Sequence, residues 1–380
     1  MLLLDAQIFM KTSLSSDEIH ATLRLQCIPN IGDITAKKLI AHCGSPTAIF
    51  NTKPSALHTI PGIGSYALRH IADKKYALAA EKEFNFINAN GVVTLYFEDL
   101  GYPNYLKQCV DGPIVLFQDG NVVLDTRPVL SVIGTRKITT YGTAFCEQFI
   151  EDIAPLNPII VSGFAYGVDI AIQKAAINHG LQTIGCLAHG LNQTYPKAHK
   201  KYVSSVQNNG GFLTEFWSTS NPERENFLKR NRIIAGMAEA TVVVESAEKG
   251  GSLVTADIAH SYNRDVFAVP GRATDVYSRG CNTLIKQQKA QLITSAADVI
   301  YLLGWNTKPS PVAPVQKQLF LALEGLELQV HTFLTEHGKQ TLDAIAVHSQ
   351  IPIFKVSSTL LHLEMKGAIR PLPGKLFEVV

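Results

Sequence analysis

The sequence predicts an α/β protein: an extended Rossmann-like, mostly parallel sheet with an N-terminal helical domain and a C-terminal winged helix. Three observations predict it. From about Gly91 to Ile293, short Val- and Ile-rich runs alternate with stretches of helical length, as when strands buried on both faces are joined by crossover helices. Ahead of them, residues 1–80 carry helical patterns interrupted by two glycine-containing turns. Behind them, a proline-rich stretch at 306–314 separates a last segment, 315–380, with three helical patterns and a strand pair. At 380 residues the chain exceeds what one hydrophobic core usually organises, so the central domain is placed at 81–305 with an appendage on each side.

Composition narrows the class. Apolar residues make up 46% and charged residues 17%, which fits an ordered chain. The formal charge of +2 does not by itself indicate a nucleic-acid partner, so the distribution of charge carries more weight than its sum. The 6 cysteines stand far apart without paired spacing, as in reduced cytosolic proteins, and no apolar run reaches membrane-spanning length. A soluble, cytoplasmic protein with no membrane partner is expected.

In the N-terminal domain, Ile28-Pro29-Asn30-Ile31-Gly32 precedes Ala36-Lys37-Lys38-Leu39, and Ile60-Pro61-Gly62-Ile63-Gly64 precedes Tyr66-Ala67-Leu68-Arg69. Each pairs a turn with a basic helix and resembles a helix-hairpin-helix (SAM-like) motif, with Asn30 where a glycine is expected. Between Ala21 and Ala80, Arg24, Lys37, Lys38, Lys53, Arg69, Lys74 and Lys75 face only Asp33 and Asp73. That balance suits contact with a nucleic-acid backbone, and it equally suits hairpins that pack helices and leave lysines in solvent. Gly62 to Ala67 also fits a loose dinucleotide fingerprint, but no strand-like run precedes it.

Strands are predicted at Val92–Phe97, Ile114–Gln118, Val129–Ile133, Ile159–Val161, Thr183–Leu187, Phe212–Thr214, Thr241–Val244, Val266–Val269 and Gln291–Ile293. Helices are predicted at Tyr141–Ile153, Val168–Asn178 and Leu253–Tyr262. Ligands in such sheets sit beyond the carboxyl ends of the strands. Asn306–Pro314, with Pro309, Pro311 and Pro314, reads as a linker. Helices at Gln316–Glu336, Thr341–His348 and Ile353–Lys366, with strands near Ile369 and at Leu376–Val380 turning at Pro373-Gly374, make the winged helix. Its cations and carboxylates balance, which favours a protein-contact or regulatory role over duplex reading.

Strand-end turns carry the chemistry: Gly134-Thr135-Arg136, Ser162-Gly163 to Gly167, Ala188 to Lys197, Thr214-Glu215 and Glu245 to Ser252. Following successive parallel strands, they should converge on one edge of the sheet. Thr135, Ser162 and Ser252 can donate to phosphate oxygens, and Arg136, Lys197, Arg230 and Arg232 supply charge. Gly250-Gly251-Ser252 leads into a helix whose first N–H groups favour an anion. Any one turn has an ordinary geometric explanation. Their coincidence favours a phosphate site. Asn231, between two arginines, is read as a helix cap or a residue that fixes a neighbouring loop. There is no Walker A pattern, metal-ligand spacing or Gly-x-Ser-x-Gly elbow, and no catalytic residue, metal or other cofactor is expected. The competing reading is a nucleotide-binding N-glycosidase-like enzyme using Glu215, Glu245 or Asp257 beside a Gly250-Gly251…Thr255 loop.

Several of these motifs occur together in one family. Gly134-Thr135-Arg136, Ser162-Gly163-x-Ala165-x-Gly167-Val168-Asp169, Gly190-Leu191 to Tyr195-Pro196, Phe227 to Ile234, Gly251-Ser252-Leu253-x-Thr255-Ala256 and Arg264-x-Val266 to Gly271 make the chain resemble the DNA-processing protein A (DprA/Smf) family over nearly its whole length. The resemblance implies a bacterial, homodimeric, non-enzymatic protein. It would bind single-stranded DNA taken up in natural transformation and load RecA recombinase on strands held by single-strand-binding protein. Carried over, Arg136 and its turn would grip phosphates, Lys197 or Lys200 and the Arg230/Arg232 pair would extend the basic pocket, and Ser162 and Gly163 would line it. Tyr166 and Gln173 stand where the family carries an arginine and a histidine. Phe164, Tyr166 and Trp217 are read either as base-stacking rings or as packing residues.

Overall fold

The computed structural model describes residues 14–305, 323–372 and 376–379. Its centre is a nine-stranded sheet: β1 (Val93–Tyr96), β2 (Val115–Gly120), β3 (Val129–Ile133), β4 (Ile159–Ser162), β5 (Thr183–Cys186), β6 (Gly210–Thr214), β7 (Ala240–Val243), β8 (Asp265–Ala268) and β9 (Gln291–Leu292). The order is β1-β2-β6-β5-β4-β3-β7-β8-β9. Pairs from β6 through β9 are parallel, whereas β1 and β2 extend the sheet antiparallel. All the expected strand segments are there. Apolar runs mark burial but not direction, so the antiparallel edge was not visible in them.

β3 is the pivot of the sheet. The chain steps outward from it through β4, β5 and β6, then returns to lay β7, β8 and β9 on its other side. The strand order therefore reverses between β3 and β7, and a crevice is expected beyond their carboxyl ends. Period-two alternation supplies both faces of the sheet. Val129 and Ile133 pack with the Arg224–Met237 and Gly251–Ser261 helices, and Leu130 and Val132 pack with the Thr140–Ile153 and Val168–Asn178 helices. Fully burying each such side chain stabilises by about 1.5–3 kcal/mol.

Six N-terminal helices (Ser16–Cys27, Asp33–Cys43, Pro46–Asn51, Pro54–Leu57, Ser65–Ile71 and Lys74–Asn90) share one core with Tyr96, Ile114, Val115 and Phe117 of the sheet edge. Both hairpins adopt the same left-handed turn, with φ +63° at Asn30 and +83° at Gly62. Asparagine tolerates that region, which is why the missing glycine does not disturb the first hairpin.

Polar locks fasten these helices to the sheet domain. Arg232 pairs with Asp33 at 3.1 Å and with Glu215, and it donates to the Asp111 carbonyl. Asp33 also accepts from the Ile114 amide at 2.9 Å. Glu83 accepts from the Ser218 amide at 2.8 Å and its hydroxyl at 2.7 Å. Burial raises the Glu215 carboxyl above its ordinary range, and the Arg232 and Lys229 charges oppose that rise.

The chain divides into two compact units, Met1–Thr307 and Lys308–Val380. The second packs helices Leu326–His337, Leu342–Ser349 and Ile353–Met365 against β10 (Gln340–Thr341), β11 (Ile369–Leu372) and β12 (Leu376–Val379), in the order β10-β12-β11. This is the expected winged helix with a third, two-residue strand added. The expected linker at 306–314, the start of the predicted Gln316–Glu336 helix and the Pro373-Gly374 turn lie outside the described residues. Among the described residues no helix is long and apolar enough to cross a membrane.

Removing Arg232 deprives Asp33 and the buried Glu215 of their shared guanidinium and leaves Glu215 only the exposed Lys229. Arg232→Ala should therefore lower unfolding stability by about 3–5 kcal/mol in urea titrations; a loss below about 1 kcal/mol would show that the network contributes little.

Candidate functional site

Beyond the carboxyl ends of β3, β4 and β7 lies a cleft of about 870 Å³. Gly134, Thr135 and Arg136 form one wall, and Ser246, Ala247, Lys249, Gly250, Gly251, Ser252 and Thr255 form another. One face of the Arg224–Met237 helix closes the third side. The turns are laced together by their backbones: the Thr135 amide donates to the Glu245 carbonyl at 2.7 Å, and the Val168 amide donates to the Thr135 carbonyl at 3.1 Å. Two glycines permit this approach. A Cβ on Gly134 would press on Val168 and the Glu245 carbonyl, and one on Gly167 (φ +80°) would overlap the Thr135 carbonyl.

Arg230 is the buried anchor of the cleft. Its Nη1 donates to the Gly163 carbonyl at 2.7 Å and the Cys186 carbonyl at 2.5 Å, which ties the ends of β4 and β5 to the helix. The Asp169 carboxylate accepts from the Gly163 amide at 3.1 Å and the Ala165 amide at 3.3 Å. A Cβ on Gly163 would collide with both the Arg230 guanidinium and the Asp169 carboxylate, so only glycine fits between them. Burial pushes the Asp169 carboxyl up and the Arg230 guanidinium down, while their opposite charges hold both nearer their ordinary values. Above this floor, Phe227 receives the Arg136 guanidinium 5.2 Å and the Arg230 guanidinium 5.7 Å from its ring centre, and Tyr195 meets it edge-on at 5.7 Å.

Among the described residues, the charged side chains lining the cleft are Arg136, Arg224, Arg230 and Lys249 against Asp169. Exposed cations and glycine-rich turn backbone suit an anionic, oxygen-rich ligand, whereas the expected donor Ser252 is buried and gives its proton to Ser246 at 2.9 Å.

The structure brings together Gly134, Thr135, Arg136, Arg230, Asn231, Gly250, Gly251, Ser252 and Thr255 of the expected residues. Others fall elsewhere. Arg232 stands two positions after Arg230, about 200° around the same helix, and so faces the N-terminal helices rather than the cleft. Asn231 lies within that helix and caps nothing. Ser162 is fully buried and donates to the Val132 carbonyl at 2.7 Å, so its hydroxyl cannot reach a ligand. Gly163 forms part of the floor, holding Arg230 through its carbonyl. Lys197 and Lys200 are exposed on the turn Lys197–Tyr202, outside the cleft lining.

Of the three aromatic candidates, Phe164 is 1% exposed and packs on Phe212 and His199, so it is a core residue. Trp217 packs with the N-terminal core and donates from Nε1 to Gln26 at 2.8 Å, beside a separate cavity of about 260 Å³. Tyr166 is 46% exposed, edge-on to His199 on the lysine-bearing turn. Sequence reasoning missed Arg224, Phe227 as a ring, Lys249 and Tyr195 as cleft groups. Helical periodicity from Arg224 would have placed Arg224, Phe227 and Asn231 on one face.

The carboxylates of the enzyme reading are engaged elsewhere. Glu245 accepts from the Thr139 amide at 2.9 Å and hydroxyl at 2.5 Å at the start of the Thr140–Ile153 helix. Glu215 pairs with Arg232 and with Lys229 at 3.1 Å, and Asp257 pairs with Lys289 at 2.7 Å. None of the three lines the cleft.

Residues 93–304 match the model of the DNA recombination-mediator protein A family, and residues 313–375 match the DprA winged helix domain. Protein Smf of Escherichia coli is 34% identical over 276 residues, 72% of this chain and 74% of Smf. DNA processing protein A (DprA) from Streptococcus pneumoniae superposes with a TM-score of 0.64 at 30% identity, covering 77% of this chain and 98% of that one. DNA processing protein A from Helicobacter pylori, described for its single-stranded DNA binding mode, superposes with a TM-score of 0.51 at 29% identity, covering 56% and 95%.

The buried His199, whose Nδ1 lies 3.0 Å from the Phe164 carbonyl, is held by burial below its ordinary value of 6.5. The unfolded chain then takes up protons that the folded chain refuses, so stability should fall as pH drops below 6.5. Melting temperatures between about pH 7.5 and about pH 5.5 should decline more steeply for the wild type than for His199→Gln. Equal slopes would remove His199 from the account.

Proposed function

Because the chain belongs to the DNA recombination-mediator protein A family, we propose that its central cleft grips the backbone of single-stranded DNA. The observation that carries this reading is the cleft itself: Arg136, Arg224 and Lys249 stand around a buried Arg230, with Asp169 as the only lining carboxylate among the described residues. Phosphates would lie against these cations and the Gly250–Ser252 backbone. Phe227 and Tyr195 offer rings to bases that a duplex would keep stacked, which supports the choice of a single strand. The binding mode described for the Helicobacter relative supports the same choice.

In this reading the protein is a cytoplasmic homodimer that receives strands entering by natural transformation. It protects them, takes them over from single-strand-binding protein and loads RecA recombinase onto them. These partner assignments rest on family membership, whose description is that of a recombination mediator. Lys197, Lys200 and Tyr166, clustered about His199, would continue the strand path outside the cleft.

Fluorescence anisotropy with labelled oligo-dT tests the reading. Arg136→Ala should weaken binding more than tenfold and make the slope of log K against log salt less negative by about 0.7, one phosphate's share. Lys249→Ala should act in the same direction. Wild-type affinity and slope in both variants would contradict the assignment of the cleft.

A further inference from the structure

The two N-terminal hairpins use their charges differently. Around the first, Lys37 donates to the Cys109 and Val110 carbonyls, both at 3.2 Å. Asp33 is held by Arg232, and Arg24 donates to the Ile71 carbonyl at 2.5 Å while its guanidinium lies 4.0 Å from the Phe50 ring centre. These groups fasten the helices to one another and to the sheet domain.

Around the second hairpin the cations stay in solvent, with Lys38 of the first hairpin's helix reaching toward Gly62. Lys38, Lys53, Arg69 and Lys74 are exposed, and none makes an ion pair among the described residues. Contacts link Lys38, Arg69 and the neighbouring rings, and Lys74 begins the helix that carries Lys75 and Tyr76. The Lys38 Nζ lies 3.5 Å from where a Cβ on Gly62 would stand. Arg69 sits 5.7 Å from the ring of Tyr66, Tyr66 meets His70 at 4.8 Å, and His70 meets Tyr76 at 6.0 Å. Lys75 lies 4.7 Å over Tyr76 and pairs with Asp73 at 3.2 Å. Among these groups Tyr66 is 50% exposed.

We propose that these groups form a second binding surface for single-stranded nucleic acid, with Lys38, Arg69 and Lys74 on phosphates and Tyr66 stacked on a base. Exposed, unpaired cations call for a polyanion. The half-exposed ring among them selects one with free aromatic faces, which an acidic peptide lacks and a duplex keeps stacked. The inference rests on the reading of the central cleft as a single-strand site and lengthens the strand that the protein engages.

The test is anisotropy on the full chain with labelled oligo-dT of about 6 and about 40 nucleotides, the shorter on the scale of one binding site. Arg136→Ala should weaken both lengths. The double variant Arg69→Ala/Lys74→Ala should bind the short strand as wild type does. It should bind the long strand about tenfold more weakly, with a salt slope less negative by about 1.4 for two lost phosphate contacts. Tyr66→Ala should lose about fivefold or more on the long strand, and Tyr66→Phe should restore it, since the ring rather than the hydroxyl stacks. Both substituted cations are exposed, so circular dichroism and melting should match the wild type. Wild-type affinity and slope for the double variant on the long strand would overturn the second surface while leaving the cleft standing. Absence of Arg136-dependent binding at either length would overturn the cleft reading itself.

Discussion

Arg230 places a positive charge under the ends of β4 and β5, and the surrounding backbone is shaped to accept it. Removing a guanidinium from water costs several kcal/mol unless its protons and charge are satisfied. Here the Gly163 and Cys186 carbonyls take its hydrogen bonds and the Asp169 carboxylate faces it. Gly163 must lack a side chain for this to work, because a Cβ would collide with both partners. The ends of β4 and β5 and the Arg224–Met237 helix are thereby fixed to one another, and with them the floor of the cleft. A buried charge is screened less than an exposed one, so the attraction between Arg230 and Asp169 is weakened by salt only slowly.

The same helix works in two directions. Arg224, Phe227 and Asn231 face the cleft, while Arg232 turns away to join Asp33 and Glu215 beneath the N-terminal helices. The surface that lines the cleft and the lock that holds the helical domain are thus different sides of one element. This explains why two arginines separated by one residue have unrelated roles. It also gives a route by which the packing of the helical domain bears on the alignment of the cleft.

Much of the fold was legible because β-branched runs identify buried strands, and the strand-end turns were expected to converge because parallel strands end on one side. Nine of the expected site residues do line one cleft. What could not be read was direction and depth. The two arginines flanking Asn231 are expected together at the basic pocket, and only the helix that carries them separates Arg230, at the cleft, from Arg232, on another face. Ser162 and Phe164 carry the right chemistry but sit at positions that the sheet buries, and composition does not distinguish an inward from an outward serine or phenylalanine. Phe227 belongs to a motif, yet its setting depends on Arg136, brought to its ring from a distant turn, as well as on Arg230 one turn along its own helix.

The most direct test of the central claim is photo-crosslinking with oligo-dT carrying 4-thiothymidine, followed by mass-spectrometric mapping of the modified peptides. The account predicts crosslinks at Tyr195 or Phe227 and in the segment from Ser246 to Thr255. They should be competed by unlabelled single strand and not by matched duplex. Crosslinks that leave both segments unmodified, or that duplex competes as well as single strand does, would contradict it.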